Sequence, residues 1–213
     1  MANVTKWSSV GVAVQSALGA NKTITAITLA DPAVVTSNAH GLANGTYVVL
    51  TTTGMSQVNG RVFRIANQAA NTFELEGLDS TAYSAFATGF ANEITFGINM
   101  TTATGLTASG GEFDFIDTTT IHDNVRTQIP GLAAPASYAF ENIWDAADAA
   151  LIALTEASDT QGQRAVRFSF ANGQKLVFNG YVGATLLPVG NAQDKVTTNV
   201  TITMFGRPTL YAT

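Results

Sequence analysis

The chain has 213 residues, contains no cysteine and is poor in charged side chains. The absence of cysteine excludes disulfides, thiolate metal sites and a cysteine nucleophile. Only 12% of the residues are charged, against about 25% in a typical soluble domain. The formal net charge is −5 and Lys or Arg residues never form a run, which disfavours tight DNA binding through a basic patch. No apolar stretch reaches the length of a membrane-spanning helix, and Met1 to Gly19 does not have the pattern of a secretory signal.

The composition that remains is apolar and rich in threonine. Hydrophobic residues make up 46% of the chain, and threonine occurs 30 times. A surface of Thr, Ser, Asn and Ala is weakly hydrated, so neighbouring subunits can cover it at little desolvation cost. This composition favours a protein whose surface is covered in an assembly. A monomeric, Thr-rich secreted β protein is the alternative that composition leaves open.

The first ninety residues predict short strands separated by turns. A weakly alternating strand covers Trp7 to Leu18, and a self-contained stretch of five or six strands then covers residues 22–89. Its turn signals are Asp31-Pro32, Asn44-Gly45 and Asn59-Gly60. We therefore expect a small all-β module at 22–89, placed between an N-terminal strand at 1–21 and a larger β domain at 90–213.

The larger domain predicts further strands, one arm and one helix. Residues 117–135 have no clean period and are interpreted as a long, irregular interaction arm. Apolar residues at helical spacing predict a helix over about 142–157. A hairpin is expected at Asn172-Gly173. The last strand alternates strictly, with an apolar face at 196, 198, 200, 202 and 204 and a polar face between, so one side can wrap a core while the other lines a wet channel.

The residues that carry chemistry do not form a catalytic or metal-binding pattern. His40 is expected to be a turn residue with local hydrogen bonds, and His122-Asp123 has no accompanying nucleophile motif. Glu112, Asp114 and Asp117 are the only acidic cluster, and a solvated strand face is favoured over a cation site. The sequence therefore predicts a protein that is not an enzyme and has no cofactor, metal site or catalytic residue.

Four segments, taken in order, resemble phage tail tube proteins. The arm runs from Asp117-Thr118-Thr119 to Ile129-Pro130-Gly131 and resembles a segment of that family. The predicted helix around Trp144 lies where the family has its single helix. The hairpin before Gly180-Tyr181-Val182 and the ending Thr201 to Pro208 are similar to the family's later strands.

The resemblance implies a mainly β fold, a tail-tube-type β-sandwich or barrel with one flanking α-helix, and a structural role in the virion tail. It implies hexameric rings stacked into a tube around a tape measure protein, with tail-end proteins as further partners. DNA is expected to pass through the lumen without specific binding, no membrane is involved, and synthesis occurs in the bacterial host cytoplasm. The expected inter-ring and inter-subunit interface is the arm: Asp117, Thr118, Thr119, Thr120, Ile121, His122, Asp123, Asn124, Val125, Arg126, Ile129, Pro130 and Gly131. The residues that face the lumen are not predicted.

Residues 22–89 resemble a different, small β module that is common in phage structural proteins and similar to the first half-domain of ubiquitin-activating enzymes. No ubiquitin chemistry follows from this likeness. We expect the module to face outward, to be removable without loss of tube formation, and to obstruct a contractile sheath, which favours a siphovirus-like tail. The alternative function is a virion decoration or host adhesin that binds a receptor or glycan through this module.

Overall fold

The computed structural model describes residues 6–212, except for the side chain of Ser8. Strands dominate this range, with one α-helix and two single 3-10 turns at Trp7–Ser9 and Ser56–Val58. The first nine strands are β1 (Gly11–Val14), β2 (Ala17–Leu18), β3 (Lys22–Ile24), β4 (Ala26–Ile27), β5 (Ala33–Thr36), β6 (Tyr47–Thr53), β7 (Val62–Ala66), β8 (Thr72–Leu75) and β9 (Thr88–Thr95). The second nine are β10 (Ile98–Asn99), β11 (Ala103–Ser109), β12 (Phe113–Asp117), β13 (Gln128–Ala133), β14 (Ser137–Ile143), β15 (Gln163–Ser169), β16 (Lys175–Ala184), β17 (Thr197–Met204) and β18 (Thr209–Tyr211). The predicted N-terminal strand segment at 1–21 includes residues 1–5, which lie outside the described residues.

The first sheet has eight strands and is strongly curled. Its order is β10-β1-β15-β16-β17-β14-β11, with β18 added beside β16, and all its pairings are antiparallel. In a flat sheet β14 and β15 would lie about 14 Å apart, since neighbouring strands are about 4.8 Å apart. Instead the rings of Phe140 on β14 and Phe168 on β15 stack with centroids 6.1 Å apart. The sheet therefore folds over on itself as a β-sandwich, which confirms the predicted fold class.

The single helix, α1 (Ala149–Asp159), covers part of this sandwich core. It buries Ala150, Leu151, Leu154 and Ala157 in the same apolar cluster as Phe140 and Phe168. The helix begins later than predicted, because Ile143 belongs to β14 and pairs with Thr197. Asp148 supplies the N-cap, since its carboxylate accepts from the backbone N–H groups of Ala150 and Leu151.

The second sheet also has eight strands, in the order β2-β9-β6-β7-β8-β5-β4, with β3 beside β9. It surrounds an apolar core of its own, centred on Phe63 and Phe73, which are both fully buried. The strands of residues 22–89 make up most of this sheet. However, β2 also pairs with β9, and β9 continues through residue 89 to Thr95.

The two sheets share a third apolar cluster. Tyr47, Val62 and Ile94 of the second sheet pack in it against Ala165, Val177 and Tyr211 of the first sheet. The second sheet therefore covers the outer side of the sandwich at β15 and β16, on the side away from β14 and β11.

The last long strand has the predicted two-sided character. Thr198, Val200, Ile202 and Met204 are buried, and the residues between them point outward. The predicted hairpin at Asn172-Gly173 is also confirmed, as β15 pairs with β16 across it. No helix within residues 6–212 is long and apolar enough to cross a bilayer.

Candidate assembly interface

A two-stranded arm projects from the edge of the first sheet. It consists of β12 and β13, which pair with each other in the register Ile116↔Ile129 and with no other strand of the described chain. The arm continues the β11–β14 hairpin, because Gly111 N–H donates to Ala134 O at 3.0 Å and Ala134 N–H donates to Glu112 O at 2.7 Å. The sheet edge and the arm are therefore one long ribbon.

A bend separates the arm from the sheet at Gly110. Gly110 has φ +81°, and a Cβ there would collide with the backbone carbonyl of Pro135. Gly111 has φ +83°, with open space around its Cα. Glycine meets both demands, since it lacks a Cβ and tolerates positive φ. Both positions favour glycine for their positive φ, but only at Gly110 does close packing against Pro135 constrain the direction of the arm.

The arm carries apolar side chains that nothing in its own chain covers. Every residue from 107 to 130 is exposed. An isolated two-stranded hairpin is only marginally stable in water, and large exposed apolar patches mark interaction sites. The exposed large side chains on the arm are Phe113, Phe115, Ile116, Ile121, Val125, Ile129 and Leu132.

The tip of the arm is ordered by its own polar side chains. Thr118 N–H donates to Thr127 O at 2.9 Å, and Thr127 N–H donates to the Thr119 hydroxyl at 3.1 Å. The Asp123 carboxylate accepts from the Thr120 N–H at 2.7 Å and from the Thr120 hydroxyl at 2.9 Å. These bonds hold the tip in one conformation while Ile121 and Val125 point into solvent.

Hydrogen bonds from neighbouring threonines lower the pKa values of Asp117 and Asp123. Bonds from the Thr119 hydroxyl and N–H hold the pKa of Asp117 below its usual value of 3.8. The N–H and hydroxyl of Thr120 do the same for the pKa of Asp123. In both cases the cause is donation to the charged carboxylate.

All thirteen predicted interface residues lie on this one arm. Asp117 ends β12, residues 118–126 form the tip, and Ile129, Pro130 and Gly131 lie on β13. The arm is a paired ribbon and not the irregular loop predicted from residues 117–135. The sequence predicted a strand at 112–116 from the alternation of Phe113 and Phe115, and the structure has one at Phe113–Asp117. Its pairing with residues 128–133, which makes it half of the arm, was missed.

A second candidate surface is the outward face of β16, β17, β14 and β11. Strand register places thirteen residues on it: Gly105, Thr107, Ser109, Ser137, Ala139, Glu141, Ile143, Tyr181, Gly183, Thr197, Asn199, Thr201 and Thr203. Glu141 is the one charged residue among them. Serine and threonine hydroxyls and small side chains dominate this almost uncharged wall, which also carries Ile143 and Tyr181. On β16 the wall continues the face that Val177 presents to the second sheet.

The histidines have ordinary structural environments. His40 is buried, its Nδ1 accepts from Leu42 N–H at 3.0 Å, and its Nε2 donates to Ala69 O at 2.9 Å. The bond to Leu42 is local, as predicted, whereas the bond to Ala69 spans 29 positions of the chain. His122 lies exposed at the arm tip. Within residues 6–212, no group of three or more His, Cys, Asp or Glu side chains is arranged to hold a metal ion.

Comparison with known protein families decides what this architecture is. Residues 53–213 match the family model described as phage tail tube protein, TTP. The chain belongs to the phage tail tube protein family. Among curated proteins, none matches it. As a tail tube protein it is a structural component of the virion tail and forms a tube with other copies of itself, which confirms the predicted function and location.

Proposed function

We propose that the tail tube protein closes into hexameric rings that stack around a lumen, and that the arm makes the contacts between neighbouring subunits. The thirteen predicted residues between Asp117 and Gly131 belong to this interface, together with Phe113, Phe115 and Leu132. The role is structural and not enzymatic. A tape measure protein sets the tube's length, and tail-end proteins close it.

The uncovered arm is the observation that carries this proposal. A lone ribbon with Phe115 62% exposed and Leu132 87% exposed is costly in water unless another surface covers it. Identical subunits that contact one another head to tail form a ring when the rotation between them closes, and stacked rings give a tube. An arm on each copy supplies such a contact, because it reaches beyond its own subunit.

The hydroxyl-lined wall of β16, β17, β14 and β11 is proposed to face the lumen. Its single charge, on Glu141, is negative, so the wall offers no cation to hold DNA phosphates. DNA can then slide through without specific binding.

The second sheet is proposed to face outward, because it covers β15 and the Val177 end of β16, whereas the wall extends from the other end of β16 through β17 and β14 to β11. An outer layer of this kind is incompatible with a closely fitting contractile sheath, which favours a siphovirus-like tail. The proposal retains the likeness of residues 22–89 to a half-domain of ubiquitin-activating enzymes as a likeness of fold, without its chemistry.

An armless variant tests the proposal. Replacing residues 113–133 with Asn-Gly leaves Glu112 and Ala134, which already share a backbone hydrogen bond, as the flanks of a two-residue hairpin turn. The sandwich core contains no residue of 113–133, so the variant is expected to fold. We expect electron microscopy to show tubes for the parent protein and none for the armless variant at the same concentration.

Two controls make the result decisive. Circular dichroism and thermal unfolding must show that the armless variant keeps its folded β core. Leu29→Ser, which changes an exposed side chain between β4 and β5 and away from the arm, must still assemble. Tubes formed by the folded armless variant would overturn the arm's role. End-on class averages of the parent tubes report the ring size, and any symmetry other than sixfold would overturn the hexamer.

A further inference from the structure

A groove opens at the seam where the curled first sheet fails to close. It lies between β1 and β10 on one side and the unpaired edge of β11 on the other, with a volume of about 640 Å³. Its apolar lining comes from Trp7, Val10, Val12, Met100, Leu106 and Phe140. None of the residues that line it is charged. This size falls within the range of pockets that bind small ligands, and it is sufficient for a few aliphatic side chains.

We propose that this seam groove receives the arm tip of a second copy of the chain, with Ile121 and Val125 as the inserted side chains. This inference rests on the proposed role of the arm and adds the surface that accepts it. Ile121 is 96% exposed and Val125 is 76% exposed. The hydrogen bonds of Thr119, Thr120 and Asp123 fix the tip before docking, so little conformational entropy remains to be lost.

The arm of the same chain does not fill its own groove. The groove lies beside Ala103 to Leu106, at the beginning of β11, whereas the arm leaves from the other end of that strand at Gly110. About nine extended residues separate Gly111 from Thr120, and at about 3.3 Å per residue they span about 30 Å. This length carries the tip away from its own subunit and onto another.

Chemistry and backbone geometry both fit a second copy as the occupant. The groove lining and the two inserted side chains are uncharged, so the contact between them buries no charge. Arg126, next to Val125, is exposed like the rest of the tip. Asp123, the nearest acid, keeps its carboxylate bonded to Thr120. The unpaired edge of β11 also offers backbone groups to an approaching ribbon, as free strand edges do.

The absence of native cysteine permits a clean cross-linking test. Purified Ile121→Cys and Thr104→Cys proteins are mixed, assembled into tubes, and treated with a mild oxidant. A disulfide requires Cα atoms within about 7 Å, so we expect a reducible dimer from this mixture. Each single variant alone is expected to give at least tenfold less dimer. The same holds for Ile121→Cys mixed with Leu29→Cys, which lies between β4 and β5.

The outcomes separate this inference from the arm's general role. Tubes without a 121–104 cross-link, or with an equal 121–121 or 121–29 link, overturn the groove as acceptor and show that another surface or partner holds the tip. The arm's role is judged separately, by whether the armless variant assembles.

Fluorescence gives a second measurement that does not depend on cysteine. Trp144→Phe leaves Trp7, which is 61% exposed and lines the groove, as the single tryptophan. We expect its emission to shift to the blue on assembly, and Ile121→Ser to raise the concentration needed for assembly about tenfold or more. Unchanged Trp7 emission in assembled tubes would overturn the proposal. Trp7→Phe, which leaves only Trp144, is the matched control.

Discussion

The backbone N–H of Arg64 donates to the hydroxyl of Tyr211 at 2.6 Å, and the Arg64 guanidinium lies 4.6 Å from the centre of the same ring. Arg64 is on β7 of the second sheet and also pairs with Glu76, whereas Tyr211 is on the last strand of the first sheet. Burial raises the pKa of Tyr211, so the ring stays neutral here. Tyr211 on β18 therefore links the two sheets of the tail tube protein.

Tyr211→Phe is expected to lower the free energy of unfolding by about 1–2 kcal/mol, because the part-buried backbone N–H of Arg64 loses this acceptor. Chemical denaturation below the assembly concentration measures the change. Tyr181→Phe is the matched control, since Tyr181 is 47% exposed and is expected to change stability by less than about 0.5 kcal/mol. Equal denaturation midpoints for the two variants would contradict a stabilising link between the two sheets through Tyr211.

Excision of residues 22–89 is expected to give an aggregating protein, contrary to the sequence-based expectation that this module is removable. The deletion removes Tyr47 and Val62, which cover Val177 and Tyr211. It also leaves β9 without β6, its long pairing partner. Bare apolar surface and a free strand edge both promote association.

Soluble yield and size-exclusion chromatography measure the effect of this excision. We expect Val177→Thr, introduced into the excised chain, to recover part of the soluble fraction by reducing the exposed apolar surface. A monodisperse excised chain that forms tubes without such repair would restore the expectation drawn from sequence.

Local sequence patterns predicted those elements whose formation depends mainly on near neighbours. The β15–β16 hairpin follows from Asn172-Gly173, and the alternation of β17 follows from its half-buried position. The helix start was wrong because Ile143 fits a helical repeat equally well, and only its pairing with Thr197, more than fifty residues later, decides for strand.

In the candidate site, too, local sequence patterns predicted some features, whereas contacts between distant residues decided the others. The position of the arm was predicted by its motif, but its pairing was missed, because Pro130 within a strand argues against strand assignment and the ribbon contains a register shift between Phe113 and Phe115. The groove was not predictable from local pattern. It is lined by Val12 and Leu106, which belong to strands that lie far apart in the sequence.

The arm tip is expected to stay ordered down to about pH 4 and to loosen below it. Asp117 and Asp123 have lowered pKa values in the folded tip. Their contribution to the stability of the tip is therefore complete above the pKa of the unfolded chain, and it is lost as the pH falls through the lower pKa of the folded tip. NMR titration of the unassembled subunit should show both carboxyl midpoints below 3.8. Thr120→Val should raise the Asp123 midpoint and leave that of Asp117 in place. Midpoints at or above 3.8 would contradict the hydrogen-bonded tip.

Gly110→Ala is expected to weaken assembly much more than Gly111→Ala does. Both substitutions place a Cβ at positive φ, which costs about 1–2 kcal/mol. Only at Gly110 does the new Cβ collide with the carbonyl of Pro135, so only there must the ribbon bend differently. Gly111→Ala therefore controls for backbone strain, and the difference between the two variants reports the arm's direction. Electron microscopy across a concentration series measures the assembly threshold. The tip lies about 30 Å from the bend, so a small change of angle displaces it by several ångströms. We therefore expect the assembly threshold of Gly110→Ala to be at least tenfold higher than that of Gly111→Ala. Equal thresholds would show that the bend does not set the direction of the arm.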